Sequence, residues 1–348
     1  ETGLDDTPLP IELVYSWMDA LALEATDGVD PTITIADGTQ VNIGTPLISK
    51  DGVHYRQLIQ KFLSVSVNFS QGANDYLQTD FGSESSLAAY KDKTYSTGAH
   101  KFDEGFGYYG ASRDLNDYTD DEAAGKGGRA EYGNGYYDSN GDGLIDLRSE
   151  FVFGHAQNCA KRDRKKNAEG VAYTDYSKEA MDAFLVGRRI LENAEAAGEL
   201  TEAANEALQA QISIAAKTWE KCIAATVVHY INDVSADMAD FSGENFADLD
   251  NFINLTKHWG EMKGFALGLQ FSPLSPFRDG STDKSVDDMK RVLSLMGDAP
   301  MMPNGSQNGQ PAAVAAADAI TNYLSDLEEA RTILAEAYAF DPEVVPIW

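Results

Sequence analysis

A mostly α-helical protein is predicted, built as two packed, duplicated helix bundles with one small β-hairpin and a calcium-loop insertion. Three observations carry this fold class. Apolar residues recur at helical spacing over four long stretches, 178–197, 201–231, 247–269 and 311–340. Only one segment alternates as paired strands do. An Asp/Asn/Gly motif at 138–150 interrupts the helical pattern with oxygen-bearing side chains at every second position.

Along the chain, residues 11–25 predict a helix with Ile11, Val14, Trp17, Met18 and Leu21 on one face. Thr32–Ile35 and Gln40–Ile43 alternate around Asp37-Gly38, a hairpin signal. Helices are expected over 55–67 and 86–97, the second broken at Gly98. Residues 111–143 are rich in Asp, Gly, Tyr and Asn and read as a long polar connection, with a helix starting near Ser149. Tyr108, Tyr109, Tyr132, Tyr136 and Tyr137 cluster in or beside it, a mix that packs loops and also suits sugars. Gly198 follows the 178–197 helix as a C-cap, and Thr201 opens the next. A shorter helix is expected over 283–295, and Pro311 is placed at the N-terminus of the last. The implied division is 1–10 as a leader remnant and tether, 11–148 as the first bundle with hairpin 32–43 and loop 138–150, and 149–348 as the second bundle.

The 348 residues carry 56 acidic and 27 basic side chains, so 27 − 56 gives a net charge of −29. Phosphate recognition needs clustered Lys and Arg, so nucleic acid is excluded as a partner. Anionic membrane surfaces are disfavoured for the same reason, and an acidic surface of this kind suits saline surroundings. No apolar run approaches the ~20 residues of a transmembrane helix. Glu1-Thr2-Gly3 resembles what remains after a secretion leader is removed. The chain is therefore expected to be exported, with room for a lipid anchor upstream. Cys159 and Cys222 fall on different expected helices, and bridge and buried thiols stay open as alternatives. No nucleophile elbow, phosphate loop or dinucleotide fingerprint is present.

The sharpest motif runs from Asp138 to Glu150. Asp138, Asn140, Asp142, the Leu144 carbonyl and Asp146 occupy positions 1, 3, 5, 7 and 9 of a calcium loop, with Gly143 at the turn position. Ser149 stands at position 12, where a carboxylate is usual, and Glu150 falls one residue later. Ca²⁺ is the expected ion, in a structural role; an Asp-Gly turn that binds nothing is the bland alternative. A second candidate is His258 with Glu261, three apart on one helical face, giving one nitrogen and one oxygen ligand suited to Fe or Zn. His100 with Glu104 is the matching pair, and His229 and His155 stand in reserve. The bland alternative is hydrogen bonding within a polar bundle core. Arg188 and Arg189, after Gly187, suit a carboxylate held bidentately, with structural pairing as the ordinary role.

The blocks His100-Lys-Phe-Asp-Glu-Gly-Phe-Gly-Tyr108, Ala183-Phe-Leu-Val-Gly-Arg-Arg-Ile190, Trp219 to Asn232 and His258-Trp-Gly-Glu-Met-Lys-Gly-Phe265 resemble an exported bacterial lipoprotein branch related to the imelysin-like proteins. The first and last also echo each other, which fits a duplication. The resemblance implies two helical bundles, a location in the periplasm or on the surface of a bacterium, and an association with uptake of iron or another metal. It also implies a metallopeptidase alternative through a His-x-x-Glu motif, here His258 and Glu261. The expected function is capture of a metal ion or metal-bearing ligand. The alternatives are the metallopeptidase and a calcium-stabilised module that binds a cell-surface protein without catalysis.

Overall fold

The computed structural model describes residues 8–27 and 31–348; most of the expected remnant and tether lies outside them. The protein is mostly helical, with a single two-stranded hairpin among the described residues. Two compact units divide the chain. Unit one takes Glu1–Ser64, Thr226–Gln270 and Pro276–Trp348, and unit two takes Val65–Ala225 with Phe271–Ser275. A cut between 148 and 149 does not reproduce this division, because the N-terminal helices pack with the C-terminal ones. No described helix is long and apolar enough to cross a membrane.

In unit one, α1 (Pro10–Thr26) precedes β1 (Thr32–Thr34) and β2 (Gln40–Asn42), which pair antiparallel with Ile33 opposite Val41. The turn needs Gly38 at φ +84°. α2 (Tyr55–Leu63) buries Leu58 and Phe62 and packs along α9 (Leu249–Gly268). The approach is close: a Cβ on Gly264 would lie 2.8 Å from both the Leu58 carbonyl and Lys61 Cβ. Glycine here is a packing requirement. α10 (Val286–Leu295) and α11 (Ala316–Tyr338) complete the unit. Buried Trp259 donates from its indole nitrogen to Met296 O and Tyr323 Oη, both at 3.1 Å, tying α9 to α10 and α11. Pro311 does not open the last helix. It lies beside a turn where Gln307 and Gln310 exchange backbone hydrogen bonds at 2.9 and 3.0 Å.

Unit two begins with a π-helical segment, Ser64–Asp75, that continues α2 where an α-helix to 67 is expected. The helix expected over 86–97 is absent. A four-residue α3 (Glu84–Leu87) leads to a loop closed by Tyr90 N donating to Tyr95 O at 2.9 Å. Ser96 then caps α4 (Thr97–Tyr109) by accepting from Ala99 N at 3.1 Å. Gly98 sits inside that first turn, where a Cβ would meet Ser86 O at 3.1 Å. α5 (Asp120–Ala123), α6 (Gly154–Asp163), α7 (Tyr176–Ala197) and the first part of α8 (Glu202–Ala239) follow. The start expected near Ser149 is instead a turn over 147–150, followed by an isolated bridge from Phe151 to Tyr136, and the helix begins at Gly154. Gly198 ends α7 at φ +75°, as its C-cap position demands. Cys159 on α6 and Cys222 on α8 form a disulfide, and Trp219 packs edge-on to Phe69 and Tyr109 beside it.

Candidate functional site

Loop 138–150 is folded around its own acidic side chains. Asp138 Oδ1 accepts from Gly141 N at 2.7 Å and its Oδ2 from Gly143 N at 2.8 Å. Asn140 Oδ1 accepts from Asp142 N, and Asp142 Oδ1 from Leu144 N, each at 2.8 Å. Gly141 and Gly143 take φ +72° and +81° to make these turns. Asp138 Oδ1 also accepts from Asp142 N at 3.2 Å, while Asp138 Oδ2, Asn140 Oδ1 and Asp142 Oδ1 each use one lone pair in these bonds. The donor set is all oxygen, so it fits a hard cation such as Ca²⁺ rather than Fe or Zn.

Glu150 clamps the loop. It is buried, and its Oε1 accepts from Ser139 N and Ser139 Oγ at 2.9 and 2.8 Å, while Oε2 accepts from Asp146 N at 2.9 Å. The Asp146 backbone donor leads the contacts that hold the Glu150 carboxyl below its usual range, and the Arg148 backbone donor does the same for Asp146. The late position of Glu150 thus lets it tie both ends of the loop, with Oε2 retaining room for a cation.

The chain leaving the loop carries this order outward. Tyr137 N donates to Glu150 O at 3.1 Å, Arg113 N to Ser149 O at 2.8 Å and Phe153 N to Gly110 O at 2.7 Å. Gly110, at φ +84°, has no room for a side chain, since a Cβ would stand 2.9 Å from that of Phe153. The tyrosines pack this region: Tyr132 stacks on Tyr137 at 4.0 Å and Tyr136 on Phe151 at 6.0 Å. Segment 147–153, α4 with the residues that follow it, and α7 wall a cavity of 770 Å³ in unit two.

The His-x-x-Glu pair in unit one does not converge on one point. Glu261 is buried and pairs with Lys61 at 3.1 Å. His258 Nδ1 lies 2.7 Å from Asp237 Oδ2. Its Nε2 faces Asp233 Oδ2 at 3.8 Å, and His229 Nε2 meets that same oxygen at 3.3 Å. In unit two, His100 Nε2 pairs with its own neighbour Glu104 at 3.5 Å and stacks on Tyr90. His155 is buried against Trp219.

One group escapes sequence reading. Among the described residues, only Asp120, Asp163 and Asp175 bring three metal-ligating His, Cys, Asp or Glu atoms within 4.8 Å of one another. The carboxylates of loop 138–150 therefore stand wider, and would have to draw in to hold a cation together. Asp163 is fully committed: Oδ1 accepts from Thr174 Oγ1 and Tyr176 N, and Oδ2 from Ser177 N and Ser177 Oγ. It acts as the N-terminal anchor of α7. Burial, then the charges of Asp163 and Asp175, raises the Asp120 carboxyl to about 6. Nothing local marks this trio, because its members come from three segments.

No family model, curated protein or solved structure matches this chain.

Proposed function

We propose that the protein is a calcium-structured binding protein without hydrolytic activity, related to the imelysin-like proteins and working outside the cytoplasm. The single observation that carries this is loop 138–150, whose hard-oxygen ligands at positions 1, 3, 5, 7 and 9 are held by turns and closed by Glu150. Asp138, Asn140, Asp142, the Leu144 carbonyl and Asp146 would hold the ion, with Glu150 Oε2 as the sixth oxygen. The ion supplies charge neutralisation and rigidity. The Cys159–Cys222 disulfide supports export, since such bonds persist in oxidising compartments.

The peptidase alternative has little support. A metal-bound water needs an open position and a free base, and Glu261 is neutralised by Lys61. Capture of Fe or Zn remains as a second reading because two imidazole nitrogens approach one Asp233 oxygen while Asp237 orients His258. A metal there would take His258, His229 and Asp233 after side-chain rotation, in place of Glu261.

Thermal unfolding in millimolar CaCl₂ and in excess chelator tests the proposal. A calcium-dependent rise in Tm that Asp142→Asn abolishes supports it. Identical melting curves in both conditions, with no calcium retained on dialysis, refute it.

A further inference from the structure

The unit-two cavity has a chemistry at odds with the rest of the surface. The chain carries a net charge of −29, yet the charged groups lining this space are Arg113, Arg148 and Arg188 against Asp103 and Glu192, a local 3 − 2 = +1. The body of the cavity is aromatic. Buried Phe102 and Phe184 form its floor with ring centroids 5.9 Å apart, and Phe106 packs edge-on to Phe184 at 5.4 Å. Its mouth is apolar and exposed: Leu147 is 59%, Leu185 49% and Phe153 42% accessible. At 770 Å³ it is within the range of small-molecule sites.

Two of the cations share Asp103. Arg188 donates from Nε to Asp103 at 2.8 Å, while its buried Nη1 makes no hydrogen bond and stands 3.6 Å from Glu192. A buried guanidinium donor left open in this way favours an incoming acceptor. Arg113 makes no ion pair among the described residues and interacts with Asp103 through its field alone. A Cβ at Gly187 would lie 2.6 Å from the Phe102 ring, so glycine lets α7 pack against that ring.

We propose that this cavity binds an organic anion with a planar aromatic body, an aromatic carboxylate, whose carboxylate lies between Arg188 and Arg113 and whose ring packs among Phe102, Phe106 and Phe184. The stretch of wall from Leu147 to Phe153 leaves the calcium loop directly and is tied to Gly110 and Arg113 by backbone hydrogen bonds. Calcium therefore strengthens the binding, and this dependence rests on the calcium reading of loop 138–150. The ligand chemistry of the cavity does not.

The test titrates the full chain with 2-naphthoate by calorimetry, with calcium saturating and with chelator, and measures calcium binding separately on the same preparations. Saturable 1:1 binding is expected, weakened about tenfold by Arg188→Gln and about threefold by Arg113→Gln, the scale of a lost charge-assisted pair. Neutral 2-naphthalenemethanol should bind about tenfold more weakly than the acid. Leu185→Glu changes an exposed residue, so folding is preserved while a like charge enters the mouth; it should also weaken binding. No saturable binding to the calcium-loaded chain, or binding indifferent to Arg188→Gln and Leu185→Glu, overturns the cavity proposal while leaving the calcium reading intact. Equal naphthoate affinity with and without chelator, on a chain that binds no calcium, refutes the calcium reading and upholds the cavity.

Discussion

In α9 of unit one, His258 and Glu261 turn to different partners, the imidazole to Asp237 and the carboxylate to Lys61. In α4 of unit two, His100 and Glu104 turn to each other and leave the neighbouring Phe102, Asp103 and Phe106 to line a cavity. The two stretches read alike in sequence, His then Glu then Gly and an aromatic. One residue of spacing separates them, and the partners offered by the adjoining helices decide the rest. Their glycines differ too: Gly264 lets α9 approach α2, whereas its counterpart Gly107 in α4 meets nothing within 4 Å. The motif that looks like metal chemistry is a helix-contact motif in α9 and not in α4.

The comparison can be broken most forcefully at its covalent tie. The disulfide closes a separation of 63 residues inside unit two, worth about 4 kcal/mol by loop-closure entropy. The Cys159→Ala/Cys222→Ala variant should unfold at markedly lower urea concentration than the oxidised wild type. An unchanged midpoint would show that unit two does not depend on this link.

Next in size is Glu122, which is buried and accepts from Arg129 Nε at 2.7 Å and from Thr119 N at 2.8 Å. The Arg129 hydrogen bond leads the contacts that bring its carboxyl down to about 2. A lowered folded pKa gives stability that is complete above the ordinary carboxylate range near 4.5 and lost as pH falls from there towards 2. Glu122→Ala should cost about 3 kcal/mol at pH 7, and the difference from wild type should shrink at pH 3. A pH-independent difference would remove the ion pair from the account.

The glycines give the third contrast. Gly264→Ala drives a Cβ against backbone on α2 and should destabilise by about 2 kcal/mol. Gly107→Ala in α4 meets nothing within 4 Å and should stabilise by up to about 1 kcal/mol through helix propensity. Equal effects at the two positions would contradict the packing argument. Comparing their chemical denaturation midpoints is sufficient.

How much was legible in the sequence depends on range. The C-terminal end of α7, the hairpin and the turns of loop 138–150 were readable because caps and Asp-Gly turns act within a few residues. The helix expected over 86–97 failed because Ser96 is itself an N-cap, so α4 starts where that helix would have ended. Arg188 could be flagged as a carboxylate holder from Gly187-Arg188-Arg189, but its partner Asp103 lies 85 residues away. The aromatic cavity needed α4, α7 and segment 147–153 to meet. Spacing along one segment cannot encode that.

Calcium binding is the central claim, and calorimetric titration of the chelator-stripped full chain with CaCl₂ tests it most directly. Wild type and His258→Ala should each take up about one ion per chain with the same affinity, while Asp142→Asn should bind at least about tenfold more weakly through loss of a charged oxygen ligand. Absence of calcium heat in the wild type, or full affinity in Asp142→Asn with loss in His258→Ala, would contradict the account.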